Sequence, residues 1–342
     1  MTTPQLAPRG VGLRPVARRT PRGSRFVPPQ RFLPVLATFV LFVAMFGAGS
    51  ARYEGFGDPQ VFVTLFIDNA YLIVLAVGMT FVILTGGIDL SVGSVVALTG
   101  MVAAWALQHG WPAAAVMVVV LLLGTVFGLV QGLIITVFDI QPFIVTLAGL
   151  FFARGLCYLI STQSFPIRDD TFIGLASGAI ELPGGISISY TAVAAVLAVA
   201  IAAYVLHLTR FGRTVYAIGG SESSAMLMGL QVNRTKIGVY AISGLCAALG
   251  GLLFALYSLS GYPLAALGME LDAIAAVVIG GTLLSGGVGF VVGSMLGVLV
   301  FGTILTLINF QGTLSSWWTR IVIGALLLAF IALQRVFLRS RT

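Results

Sequence analysis

The residues of this sequence that could do chemistry lie where polar groups are rare. One set is Asp68-Asn69. The other is the run Thr85-Gly86-Gly87-Ile88-Asp89-Leu90-Ser91-Val92-Gly93-Ser94. Between Val61 and Leu107 the only charged residues are Asp68 and Asp89. Carboxylates, an amide and hydroxyls in apolar surroundings can exchange hydrogen bonds with a hydroxyl-rich solute, or with one another across packed helices. Both readings stand for Asp68 and Asn69. A charge at the centre of a membrane helix costs on the order of 2.5–3.5 kcal/mol, less near an interface, so an acid retained there has a task. For Asp89 the heavier reading is a cap on the exposed N–H groups of the following helix, with Ser91 as the other candidate cap. Contact with solute is the second reading for Asp89. Asp68, Asn69, Thr85, Asp89 and Ser91 are the groups expected along a polar path.

Covalent chemistry finds no equipment here. The single lysine, Lys236, lies in no GxxxxGK context, so ATP hydrolysis by that route is excluded. There is no HExxH pattern and no nucleophile with partners. Cys157 and Cys246 sit in apolar runs as small hydrophobes, without neighbours at ligand or disulfide spacing. His109 and His207 fall at the ends of spans, as interfacial polar tips. No catalytic residue, metal site or cofactor is expected. A carrier driven by protons or sodium usually shows more ionisable residues at mid-membrane than Asp68 and Asp89. Energy from a partner subunit is therefore expected, with a self-sufficient secondary carrier or facilitator as the alternative.

Positioning such residues requires a membrane scaffold. The 342 residues are 58% hydrophobic and 8% charged, against about 25% charged in a soluble domain. A span takes roughly 20 residues. Hydropathy places spans near 33–50, 61–84, 92–108, 113–138, 143–161, 190–208, 236–259, 272–285, 288–310 and 319–337, ten in all. The eighth is short and glycine-rich, and reads as a half-helix. The fold class is thus an all-α polytopic membrane protein. The glycine pair at 86–87 ends one helix and turns the chain. Irregular backbone at that depth survives only inside protein or against a water-filled cavity. Arg154, within the fifth span, needs a counter-charge or reaches for an interface. Trp317-Trp318 reads as an aromatic anchor of the last span.

Charge placement orients the chain. Residues 1–32 hold seven arginines and no acid, and read as a disordered cytoplasmic tail. The small residues after the first apolar run allow a cleaved signal, but the length of the run favours an uncleaved span. With the N-terminus inside, the tail, the 209–236 segment and the C-terminal end (Arg335 at the end of the last span, then Arg339 and Arg341 in 338–342) carry fourteen of the 18 basic residues. That satisfies the positive-inside rule, N-in and C-in, and argues against nucleic acid as the partner of the net charge. The membrane domain then runs over 33–337. An acidic external loop covers 162–189 with a Pro183-Gly184-Gly185 turn. A cytoplasmic loop covers 209–235, with a short helix after Gly219-Gly220 capped by Ser221 or Ser223. Met226-Leu227-Met228 in that helix offers apolar side chains to a partner groove, or to the chain's own membrane domain.

An internal echo accompanies this layout. Gly86–Gly93 and Gly280–Gly287 share the pattern GGxxLSxG. Transport proteins often repeat an interrupted helix in their two halves. Chance is the alternative in a chain with 42 glycines.

TGGIDLSVGS, then Arg213–Gly220 (RTVYAIGG) and Leu227-Met228-Gly229, resemble the permease family of bacterial ribose/xylose/galactofuranose-type sugar ABC importers. The likeness covers most of the chain after about residue 33. It is densest in Glu270–Gly289, Gly312–Thr319 and Phe330–Arg335, and nearest to the galactofuranose-type members. The resemblance implies a multi-pass permease subunit of the bacterial inner membrane, embedded in the lipid bilayer. It implies a sister permease (in a homo- or heterodimer), a cytoplasmic ABC ATPase and an extracytoplasmic sugar-binding protein. It also implies ATPase docking through the 209–235 loop, at Gly219, Gly220, Ser223, Ala225 and Gly229. In the EAA-xxx-G pattern of the family, Ser223 stands where the acid is expected, with Glu222 one place earlier.

Overall fold

The computed structural model describes residues 32–313 and 317–339. The expected disordered tail, apart from Phe32, and most of the 338–342 segment lie outside the described residues. The chain begins with α1 (Leu33–Arg52), which has Pro34 in its first turn, where a missing N–H costs nothing. α2 (Pro59–Asp68) starts on Asp58, whose carboxylate accepts from Gln60 N at 2.7 Å. α3 (Ala70–Leu84) follows at a bend of 58°. The span expected at 61–84 is therefore two helices. Asn69 explains the bend. Its backbone N–H turns to Ile67 O, and its side-chain Nδ2 donates to the Leu65 carbonyl at 2.8 Å. The carbonyl released by the kink is thus satisfied locally.

α3 is apolar all round, and every residue but Tyr71 is buried, as expected for a helix at the centre of a bundle. After the break at 85–91 come α4 (Val92–Gln108), α5 (Ala113–Val137) and α6 (Pro142–Ile160). A small cap follows: β1 (Phe165–Pro166), α7 (Asp170–Ser177), and the hairpin of β2 (Ala179–Leu182) and β3 (Ile186–Ser189). Its turn uses Gly184 and Gly185 at φ +95 and +78, the turn read at Pro183-Gly184-Gly185. Gln60 on α2 holds β3 through both atoms of the Ser187 backbone, at 2.9 and 3.2 Å.

α8 (Tyr190–Leu208) leads to α9 (Arg210–Gly220) and α10 (Glu222–Leu227). The long α11 (Val232–Ser258) then returns through the bundle to β4 (Ser260–Gly261), which pairs antiparallel with β1. α12 (Met269–Ile279), α13 (Val291–Gln311) and α14 (Trp317–Arg339) complete the chain. α12 is the short half-helix expected there, and it ends six residues earlier than the 285 boundary read from hydropathy. The 209–235 segment holds more structure than expected, because α9 precedes the short helix. Phe211, Val215 and Ile218 recur at helical spacing in α9 and carried that signal.

Among the described residues, six helices are long and apolar enough to cross a membrane, and the bent pair α2–α3 makes a seventh. Large apolar side chains such as Val137, Phe151 and Leu159 point outward from α5 and α6, as a lipid-facing surface requires. Lipid tails are as apolar as leucine, so helices in a membrane associate through close packing rather than exclusion of water. α5 and α11 do this through small residues four apart. Gly124, Gly128 and Gly132 lie against Tyr240, Gly244 and Ala248. A Cβ on Gly128 would fall 3.0 Å from Gly244 N and overlap Tyr240 O.

Candidate functional site

The first break is built around Asp89, which is 1% exposed. Its Oδ1 accepts from Ser91 N at 2.9 Å and from Ser91 Oγ at 2.6 Å. Its Oδ2 accepts from Ser243 Oγ on α11 at 2.7 Å. Ser91 Oγ is also within 3.2 Å of Gln131 Oε1 on α5. The capping expectation is thereby refined. Ser91 occupies the N-cap position of α4 without a side-chain cap bond, because its hydroxyl is spent on Asp89. Asp89 instead holds the turn before α4 and ties it to α11. Asp89 and Ser91 come together in a closed cluster. Thr85 stands apart from them at the end of α3, half-buried, with its hydroxyl donated to Val82 O at 2.8 Å.

Sequence reading missed Gln131, Tyr240 and Ser243. Each is a polar residue inside an apolar span, which was the available signal. The Tyr240 hydroxyl and Gln131 Nε2 have no hydrogen-bond partner among the described residues. The Tyr240 hydroxyl occupies the space beside Gly87, 2.5 Å from where a Cβ would stand.

Asp68 and Asn69 lie at the α2–α3 kink, away from Asp89. The Asp68 side chain is exposed and makes no hydrogen bond or ion pair among the described residues. Beside the kink is a cleft of about 290 Å³ between α3, α7, α8 and α11. Its wall includes Tyr71, Ser177, Ser189, Thr191 and Tyr257. Arg154 makes no direct ion pair among the described residues, although the Glu270 carboxylate lies near enough for the two charges to attract. Arg154 Nη1 donates to the carbonyls of Pro263 and Ala265 at 2.6 and 2.8 Å. Carbonyls of the segment before α12 are thus its direct hydrogen-bond partners.

The α9–α10 hairpin lies at the other end of the bundle from the α7–β2–β3 cap. Thr209 caps α9 through Gly212 N at 3.2 Å, and Ser221 caps α10 through Ser224 N at 3.3 Å. Glu222 pairs with Lys236 of α11 at 2.6 Å. That single bridge binds α10 to the next long helix, using the acid one place before Ser223. Ala225 is buried against Ile218 and Val232, so α10 has an inner face. Met226, Leu227 and Met228 form its outer face, with Leu227 89% exposed. Gly229 turns the chain away at φ +75. Gly220 faces open space, whereas Gly219 is pressed against the two breaks. Tyr216 Oη donates to Gly289 O at 2.7 Å, and burial pushes its hydroxyl well above the usual phenol range, so it stays a donor.

The second break, 280–290, meets the first at this same end. Gly281, Gly286 and Gly287 take φ of +93, +85 and +77. Gly287 N donates to Leu84 O, the last carbonyl of α3, at 3.0 Å. Both copies of GGxxLSxG therefore occupy a break between two helices, and the breaks touch. Among the described residues no group of three or more His, Cys, Asp or Glu could hold a metal ion.

Residues 61–331 match the family model described as "Branched-chain amino acid transport system / permease component". The chain is 48% identical to the inner membrane ABC transporter permease protein YjfF of Escherichia coli K12 over 307 residues, 90% of this chain and 93% of that protein. It is 45% identical to the fructose import permease protein FruG of Bifidobacterium longum over 312 residues, 90% of this chain and 92% of that one. It is 36% identical to the ribose import permease protein RbsC of Haemophilus influenzae over 306 residues, 88% and 93% of the two chains. No solved structure matches the chain significantly.

Proposed function

This chain belongs to the branched-chain amino acid transport system / permease component family, and from that premise we propose that it is the membrane subunit of an ABC importer for a small sugar. The sugar is a pentose or a galactofuranose-like ring. The chain works by alternating access with a sister permease. A separate ATPase drives it and an extracytoplasmic binding protein supplies it. Relatives named for ribose and fructose import support the sugar class. The observation that carries the coupling is the α9–α10 hairpin. It presents Met226-Leu227-Met228 outward while its inner side touches both helix breaks. Gly220, Ser223 and Gly229 lie on that docking surface, while buried Ala225 and Gly219, pressed against the breaks, position it from the inner side.

The chain crosses the bilayer ten times, N-in and C-in. The six long helices and the α2–α3 pair are joined by α4, α12 and α14. α12 has 11 residues and is about 16 Å long at 1.5 Å per residue, so its pass is completed by the irregular 280–290 segment. Packing of both breaks into protein is what allows such backbone at depth. The hairpin lies on the inner side, with most of the basic residues. Solute enters at the cleft beside Asp68 and Asn69, whose phenols and hydroxyls suit a sugar ring, and passes Thr85. Asp89 and Ser91 shape the path by holding the break.

The test is uptake in vesicles containing this chain, the sister permease and the ATPase, with binding protein outside. Sugar should accumulate only with ATP inside. Uptake by this chain alone, without ATP and abolished by an ionophore, would overturn the proposal in favour of a secondary carrier.

A further inference from the structure

Three segments far apart in sequence meet backbone to backbone at one point. They are the end of α3 with the first break, the second break, and the C-terminal turn of α9. Leu84 O accepts from Gly287 N at 3.0 Å. Gly219 sits over that bond. A Cβ there would overlap both Leu84 O and Gly287 N, and would lie 2.9 Å from Gly287 Cα. A Cβ on Gly287 would be 3.0 Å from the Gly219 carbonyl carbon and oxygen and from Gly220 N. A Cβ on Gly286 would be 2.9 Å from Gly86 N and from Leu84 O, and 3.1 Å from Gly219 Cα. No side chain separates the three backbones, so there is no rotamer to absorb a displacement. One turn earlier, the Tyr216 hydroxyl pins α9 to the second break at Gly289 O.

We propose that Gly219 is a positioning residue, the point at which α9 moves both helix breaks together when the ATPase displaces the α9–α10 hairpin. Gly287 and Tyr216 complete the junction. This rests on the importer reading and adds to it how docking reaches the gate. A side chain at residue 219 wedges α9 off the breaks. The hairpin still binds the ATPase through its outer face, but its motion no longer reaches the two breaks in step. Interfaces packed this closely move as units rather than deforming smoothly.

The experiment is the ratio of ATP hydrolysed to sugar transported, measured in vesicles holding the full complex. Gly219→Val should let the ATPase co-purify and hydrolyse ATP within about twofold of the unmodified complex, yet raise the ratio at least tenfold. Gly155→Val is the control, since nothing lies within 4 Å of a Cβ on Gly155, and its ratio should be unchanged. Tyr216→Phe removes only the bond to Gly289 and should raise the ratio two- to fivefold. If Gly219→Val does not assemble, Tyr216→Phe decides. An unchanged ratio in Tyr216→Phe, or in an assembled Gly219→Val, overturns the junction. An unmodified complex without ATP-dependent uptake fails at the earlier step, and the importer reading falls with the junction.

Discussion

Ser243 donates its hydroxyl to Asp89 Oδ2 at 2.7 Å, across 154 positions of sequence. This bond joins the turn before α4 to the middle of α11, the helix that leaves the α10 hairpin. A buried carboxylate loses its hydration, and three donors from Ser91 and Ser243 replace part of it. The first break is thus held by a polar cluster inside an apolar bundle.

Ser243→Ala should lower stability by about 1–3 kcal/mol, the cost of leaving a buried acceptor short of a donor. Thermal unfolding in detergent measures it. In an Asp89→Ala background the same change should cost less, because the two residues share the interaction. Equal losses in both backgrounds would remove Asp89 as the partner that matters.

Gly128→Leu should separate α5 from α11. The added side chain has nowhere to go beside Tyr240 O and Gly244 N, and overpacking of this kind costs about 1–3 kcal/mol. Gly155→Leu, on the open face of α6, should leave the unfolding temperature unchanged.

Leu227→Glu should leave the fold within about 0.5 kcal/mol, as exposed substitutions usually do, and reduce ATPase co-purification at least fivefold. Gly229→Glu should weaken docking as well. It adds a charge and forces a side chain into the left-handed region at φ +75, a strain of about 1–2 kcal/mol. Normal co-purification of both variants would show that the outer face of α10 is not where the ATPase sits.

Asp68→Ala should lower sugar uptake more than it lowers the amount of folded protein, by about fivefold in uptake per molecule. Asp68 makes no hydrogen bond among the described residues that the change would break. Equal losses in uptake and folded protein, scored by gel filtration and vesicle uptake, would assign it a structural role.

Neutralising the Glu222–Lys236 pair should matter little to stability. Its side chains are 42% and 19% exposed, and partly solvated pairs contribute about 1 kcal/mol or less. Lys236→Met should instead loosen α10, read as faster proteolysis between 209 and 235 with the unfolding temperature held.

Much of the architecture was legible without coordinates, because hydrophobic length and charge asymmetry are properties of the chain read in order. The run Ala113–Val137 reads as a span whatever it packs against. Pro183-Gly184-Gly185 dictates a turn, and Ser221 caps the helix after Gly219-Gly220. The α2–α3 bend was hidden, since it depends on one amide, that of Asn69, choosing the Leu65 carbonyl. The direct partners of Arg154 were hidden for a similar reason: they are backbone carbonyls, which every residue carries and no pattern marks.

The sequence by itself determined that the chain is a helical membrane protein with two glycine-broken segments and a basic, helix-bearing segment between them. Those facts follow from local composition and backbone preference. Only the tertiary structure decided that both breaks lie against each other and under Gly219, that Ser243 meets Asp89, and that Glu222 reaches Lys236. Each is a contact between distant segments, set by which helix faces pack together. In a bilayer, where apolar side chains gain little from choosing one another over lipid, those faces are chosen by close backbone approach and buried hydrogen bonds.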